Sequence, residues 1–463
     1  MQATNAQATI DDLVAQAKDP AVLAGLLRMC HPADAIEVLN RLPHGVASRV
    51  LLGQTAEANA TVFNQPGLDE PSKIVGLMPA DRAAELLGQL HADRRVDVFR
   101  HLTETQQDSL CAKLPAPMQA SLRQLLAYPP HRAGGIMTTE FVSLPTTTTV
   151  TEALQNIRQV AGGKETVYAI YLVDPKTGAL AGVVSLRELI LADGAATLGS
   201  IANVRKPISV TADLDREEVG RLISKYDLLA VPVVDGDNRV IGIVTVDDVI
   251  DAMVEANTED AQKFGGMEAL DQPYMSMGFG AMIKKRAGWL CVLFLSEMLT
   301  ATAMQNYQTE LEKAVVLTLF IPLIMSSGGN SGSQATSLII RALALRELKL
   351  SDWWRILIRE IPAGMMLGAI LGVIGIVRIT LWQKMGLFNY GEHWELIALT
   401  VGAALVGIVT FGSMAGSMLP FALKRVGFDP ASASAPFVAT LVDVTGLVIY
   451  FTIAWVILRG TLL

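Results

Sequence analysis

The chain has 463 residues, a net charge of −8 and 51% hydrophobic residues, too long for one ordinary domain. The averages hide a division: residues 1–286 carry most of the acids, while residues 287–463 are long apolar runs broken by short charged loops. This excludes a single soluble domain and reads as an acidic region joined to a membrane region.

The opening MQATNAQATIDDL has no basic stretch followed by an apolar core, so no secretory signal is expected. Cys30, Cys111 and Cys291 form neither a CxxC clip nor a disulfide framework, which suits a reducing cytosol. Residues 78–126 hold a repeat in which Leu90, Leu102, Leu114 and Leu126 recur every twelve residues. Each unit predicts a short helix and a turn, with Pro79, Pro115 and Pro117 at helix starts, and a stack of such units forms an α-helical solenoid. Asp93 and Asp97 stand four apart on one helix face; a solvated surface and a cation contact both account for them.

Residues 136–254 contain a second duplication. VSLPTTTTVTEAL and YLVDPKTGALAGVVSLRELI are answered about 60 residues later by ISVTADLDREEVGRL and VPVVDGDNRVIGIVTVDDVI. Each copy predicts strand, helix, strand, turn, strand, helix, with turns at Lys176–Gly178 and Asp235–Asn238. The junctions Gly182 to Glu188 and Gly242 to Asp248 resemble those of a tandem pair of CBS domains. Ser185 and Thr245 then either cap a helix or meet a ribose.

From Val246, the sequence VDDVIDAMVEANTEDAQKFGG stacks Asp248, Asp251, Glu255 and Glu259 along one helical face. Like charges at that spacing repel by a few tenths of a kcal/mol per pair. Solvent, scattered basic residues or bound Mg²⁺, which takes oxygen ligands, would neutralise them.

Five stretches are apolar enough to span a bilayer: about 287–306, 314–340, 356–382, 395–423 and 433–458. Lys284, Lys285 and Arg286 precede the first, Arg341, Arg346, Lys349, Arg355 and Arg359 follow the second, and Lys424 and Arg425 follow the fourth. The positive-inside rule makes these sides cytoplasmic, with the N-terminus inside and the C-terminus outside. On the opposite side Lys313, Arg378 and Lys384 are offset by Glu310, Glu312, Glu392 and Glu395.

Asp443 interrupts the last span with no basic residue at helical spacing, and a charge at mid-membrane costs about 2.5–3.5 kcal/mol. It needs a partner from elsewhere: a hidden side chain or a passing cation. In the second span, SSGGNSGSQ places Asn330 among small residues that make either a packing notch or a stretch of carbonyls facing a pore. Glu297 in the first span is either a second ion ligand or a packing hydrogen bonder. GGNSGSQ lacks the lysine of a phosphate loop, so ATP-driven pumping is not expected.

The order of helical repeat, CBS pair, acidic connecting helix and five spans resembles the MgtE family of bacterial magnesium channels across essentially the whole chain. HPADAIEVLNRL at 31–42, SSGGNSGSQATSLIIRAL at 326–343 and FDPASASAPFVATLVDVTGLVIYF at 428–451 carry the likeness. The resemblance implies a homodimer in the bacterial inner membrane with the pore on its two-fold axis, no enzymatic activity and no nucleic-acid partner. It carries the pore carboxylate onto Asp443 and the pore-lining amide onto Asn330. It also makes the acidic helix a gating plug, with cytosolic Mg²⁺ among Asp248, Asp251, Glu255, Glu259, Asp260, Asp93 and Asp97. A site for ATP or another adenine nucleotide near Tyr171, Arg187 and Glu188 follows from the same likeness. The expected domains are an α-helical N-terminal domain at 1–135, CBS repeats at 136–200 and 201–254, a connecting plug helix at 255–283 whose acidic face starts near 247, and a transmembrane pore domain at 284–463.

Two other readings keep parts of this architecture. A transporter for Mn²⁺ or Co²⁺ shares all of it, although the pore offers no Cys, His or Met ligand. A nucleotide-sensing receptor without conduction uses the CBS pair and leaves Asp443 without a role.

Overall fold

The computed structural model describes residues 20–202, 207–270, 272, 274–275, 277–308 and 315–462. Glu310, Glu312 and Lys313 of the charge comparison, and the opening residues 1–19, lie outside the described residues. The chain divides into two compact units, Met1–Ala256 and Asn257–Leu463.

The first unit begins with short helices at Pro20–Leu27, Pro32–Asn40, His44–Leu52, Ala56–Phe63, Pro71–Gly76, Ala80–Gln89, Ala92–Arg100, Glu104–Cys111 and Ala116–Leu126. Along the run each helix packs on the one two places further on, which is how a solenoid buries faces too short to stand alone. Leu90, Leu102 and Leu114 of the twelve-residue repeat are buried in this stack. Pro79 and Pro115 sit at N-caps, and Thr103 with Gln106 closes a capping box.

The duplicated region forms two matching three-stranded sheets. Strands β1 (Val142–Pro145), β2 (Ala169–Val173) and β3 (Leu180–Ser185) make one; β4 (Val210–Thr211), β5 (Ala230–Val234) and β6 (Val240–Thr245) make the other. In both, the first pair is parallel and the second antiparallel, with an irregularity at the same place, Leu172/Val173 and Val233/Val234. The turns are where they were expected: Gly178 and Asn238 take positive φ. Residues 133–138 join the helical stack to the second sheet rather than the first, through Ala133 to Leu214 and a reciprocal Thr138–Ile243 pair. The stack and the second repeat therefore share one apolar core.

The acidic helix runs Val246–Phe264. It stops well short of residue 283, because Gly265 and Gly266 follow and Gly266 adopts a φ of +75° that ends a helix.

Among the described residues of the second unit, five helices are long and apolar enough to cross a membrane: Phe279–Asn306, Val315–Ala344, Leu350–Lys384, Trp394–Val426 and Ala435–Leu458. The fourth lies at the centre, with the second, third and fifth packed on it. Glycines allow this approach. A Cβ at Gly412 would stand 2.3 Å from the Gly328 carbonyl oxygen, one at Gly416 2.1 Å from that of Gly332, and one at Gly368 2.6 Å from the Cα of Val406. The Ser331 and Ser413 hydroxyls meet at 2.7 Å across the same contact. The second span remains helical from Ile321 to Ala344, so the glycines of SSGGNSG form a packing notch and its carbonyls stay within the helix.

Candidate metal centres

The first unit gathers acids from three separate elements. His91 occupies the N-cap of helix Ala92–Arg100, its backbone N–H held by Asn64 Oδ1 at 3.1 Å, and Asp93 follows in the first turn. Glu165 comes from the loop before β2, and Asp248 from the first turn of the acidic helix. Ligand atoms of His91, Asp93 and Glu165 all lie within 4.8 Å of one another.

Asp93 is only 6% exposed, and among the described residues its Oδ1 and the Glu165 Oε2 are buried without a hydrogen-bond partner. Thr245 Oγ1 lies 2.6 Å from Asp248 Oδ2 and 3.5 Å from Glu165 Oε1; a hydroxyl has one proton, so it serves Asp248. Burial lifts the carboxyls, to about 8 for Glu165, about 7 for Asp248 and about 6 for Asp93. Repulsion from Asp93 adds to the rise at Glu165 and Asp248, while Arg94 opposes it at Asp93. Asp97, one turn on, is reached by solvent and is also raised to about 6.

Arg94 is the protein's own cation here. Its guanidinium lies 2.9 Å from Asp251, 3.7 Å from Asp93 and 3.9 Å from Asp248. Further along the acidic face, Arg216 holds Glu255 at 2.7 Å, and Lys263 holds Glu259 at 2.6 Å and Asp429 at 2.7 Å. The stripe is thus paired with basic side chains along its length, and only its first member, Asp248, turns into the buried cluster. The structure brings Asp93 and Asp248 together, sets Asp97 and Asp251 beside them, and gives Glu255 to Arg216; Glu259 and Asp260 belong to the second unit. His91, Arg94 and Glu165 escape a reading by helical spacing, since Glu165 lies in a loop and its neighbours are distant in sequence.

Tyr171 is fully buried in β2, edge-on to Phe141, and its hydroxyl has no hydrogen-bond partner among the described residues. Arg187 is exposed on helix Leu186–Leu191, while Glu188 closes a capping box with Ser185. Capping therefore accounts for Ser185, and the Thr245–Asp248 bond plays the equivalent part in the second repeat.

In the membrane unit, no ion pair or hydrogen bond among the described residues engages Asp443, and the charge bearing on it is that of Glu297, another acid. Asp443 is half-buried and Glu297 is exposed, so two acids meet in an apolar span with no basic partner among the described residues. Spans two and five pack with Met325 against Gly446, Gly328 against Val442 and Gly332 against Val438. This register sets Asn330 within about one helical turn of the level of Asp443. Asn330 is exposed, on the side of its helix away from the glycine notch, and its amide touches only Ser326, at 3.4 Å.

The family model for divalent cation transporters of the MgtE type matches residues 321–453, that for the MgtE intracellular N domain residues 30–131, and that for CBS domains residues 133–194 and 198–255. A magnesium transporter MgtE of Thermus thermophilus is 37% identical over 459 residues, covering 96% of this chain and 97% of that protein. The chain belongs to the MgtE family. An MgtE of Enterococcus faecalis is 37% identical over 338 residues, 73% of this chain and 72% of that protein. Among solved structures, the cytosolic domain of an MgtE Mg²⁺ channel in complex with ATP is 35% identical and covers 51% of this chain and 96% of its own, with a TM-score of 0.48. Membership of the MgtE family with five apolar helices makes this a multi-pass membrane protein of a transporter family rather than an enzyme family.

Proposed function

We propose that the protein conducts Mg²⁺ into the cell and is closed when cytosolic Mg²⁺ binds its N-terminal unit. The observation that carries conduction is Asp443, a carboxylate inside an apolar span whose charged neighbour is a second acid, Glu297. In a homodimer two Asp443 carboxylates would carry −2 and match one dication. Mg²⁺ gives up its water reluctantly, so carboxylates and the Asn330 amide contacting a largely hydrated ion favour it over bare ions.

Closure rests on the buried cluster. The unpartnered oxygens of Asp93 and Glu165, with Asp248 beside them, fit a hard divalent ion, which would add the positive charge that Arg94 alone does not supply to three acids. Asp93 and Glu165 are fixed by the helical stack and the first repeat, and Asp248 begins the helix that continues to Phe264. When the ion leaves, repulsion among the three carboxylates favours separation of those elements; only differential affinity of Mg²⁺ for the closed arrangement drives the shift. Orientation with both the N-terminal unit and the acidic helix on the cytoplasmic side is part of this reading, as is an adenine nucleotide at Tyr171, Arg187 and Glu188. The test is Mg²⁺ flux into proteoliposomes. Wild-type flux that vanishes in Asp443→Ala supports the reading, and flux surviving in the variant overturns the pore assignment. Flux carried equally by Mn²⁺ or Co²⁺ in competition with Mg²⁺ moves the reading to a broader divalent transporter.

A further inference from the structure

The buried cluster contains a nitrogen donor that Mg²⁺ has little use for. Among the described residues no hydrogen bond or ion pair engages the His91 imidazole, yet one of its ring nitrogens lies within 4.8 Å of carboxylate oxygens of Asp93 and Glu165. Three atoms so spaced fit inside a circle of radius about 2.8 Å, so small side-chain rotations bring all of them to the 2.0–2.2 Å typical of imidazole and carboxylate ligands on zinc. Asp93 is nine-tenths buried, and among the described residues neither its Oδ1 nor the Glu165 Oε2 has a hydrogen-bond partner. Hard Mg²⁺ takes oxygen ligands and water, whereas imidazole raises affinity along the first-row series towards Co²⁺ and Zn²⁺.

We propose that His91, Asp93 and Glu165 form a three-ligand site for a first-row transition dication of the Co²⁺ or Zn²⁺ kind, held more tightly than Mg²⁺. The fourth position is left to water. Because Asp93 and Glu165 also belong to the Mg²⁺ cluster, the two classes of ion exclude each other there. A transition ion then closes the protein at lower concentration than Mg²⁺ does; this last consequence rests on the sensor reading above, whereas the binding site does not.

The experiment uses the full-length protein in nanodiscs, titrated with Co²⁺ and followed by visible absorption, with Zn²⁺ displacement and a parallel Mg²⁺ titration by calorimetry. Wild type is expected to bind Co²⁺ with the intense d–d bands of a low-coordinate site, and His91→Gln to lower the ratio of Co²⁺ to Mg²⁺ affinity at least tenfold. Glu165→Gln, which weakens both ions, serves as a second variant should His91→Gln fail to fold. Co²⁺ bands and affinity ratio unchanged in His91→Gln, or Co²⁺ bound no more tightly than Mg²⁺ by wild type, overturn the proposal. Mg²⁺ that binds but does not affect flux, beside His91-dependent Co²⁺ binding, removes the sensor reading and leaves this site standing.

Discussion

Arg94 and a bound metal ion compete for the same acids, and replacing Arg94 by glutamine separates their roles. The guanidinium is 2.9 Å from Asp251 and just under 4 Å from Asp93 and Asp248. Unit charges about 4 Å apart interact by roughly 4 kcal/mol at an effective dielectric of 20. Arg94 keeps 21% of its side chain exposed and Asp251 37%, so solvent screening reduces this; about 1.5 kcal/mol is a reasonable net value, close to tenfold in a dissociation constant. Removing the charge should make the cluster more negative and tighten Mg²⁺ binding about tenfold, while the metal-free protein loses its contact between the helical stack and the acidic helix. Isothermal titration of the full-length protein measures the first effect, and thermal unfolding in EDTA the second. A Mg²⁺ affinity that is unchanged or weaker in Arg94→Gln would show that Arg94 helps build the site rather than competing for it.

The buried carboxyls give a pH dependence whose sign is set by their upward shifts. Groups near 4 when unfolded and at about 6, 7 and 8 in the metal-free fold stabilise it fully at low pH and lose that contribution as pH rises through those values. The melting temperature in EDTA should therefore fall between about pH 5 and pH 8.5, and Mg²⁺ should restore it most at the upper end; a rise over that window contradicts the cluster's electrostatics. Arg216→Gln removes the partner of Glu255, whose side chain is 67% exposed, so stability should change by about 1 kcal/mol and Mg²⁺ affinity at the buried cluster by less than twofold, as read by calorimetry. Gly416→Ala places a Cβ 2.1 Å from the Gly332 carbonyl oxygen, and overpacking of this kind costs about 1–3 kcal/mol, measurable as a lower melting temperature in detergent.

The architecture was legible wherever it depends on local pattern. Twelve-residue leucine spacing, the duplicated strand–turn–strand runs and the apolar stretches each report one element's burial, and each element stands close to its expected place. Gly265 and Gly266 likewise mark the end of the acidic helix, although the reading by domains extended it to 283. The site was harder to read because its partners are distant. The stripe Asp248, Asp251, Glu255 and Glu259 showed a charge needing neutralisation, but Arg94 reaches Asp251 from 157 residues away and Arg216 reaches Glu255 from 39. Glu165 lies in a loop with no periodicity to expose it, and His91 looks like an ordinary helix start. In the second span, composition left a notch and a pore lining as alternatives; helical phase divides them, with Gly328 and Gly332 packed on span four and Asn330 on another face.

Mg²⁺ flux in oriented proteoliposomes containing wild type or Asp93→Asn, at low and high Mg²⁺ on the side of the N-terminal unit, tests most directly whether the buried acids control the pore. The expected result is wild-type flux that shuts off at high Mg²⁺ and Asp93→Asn flux that persists there. Asp93→Asn closing at the same Mg²⁺ concentration as wild type would contradict it.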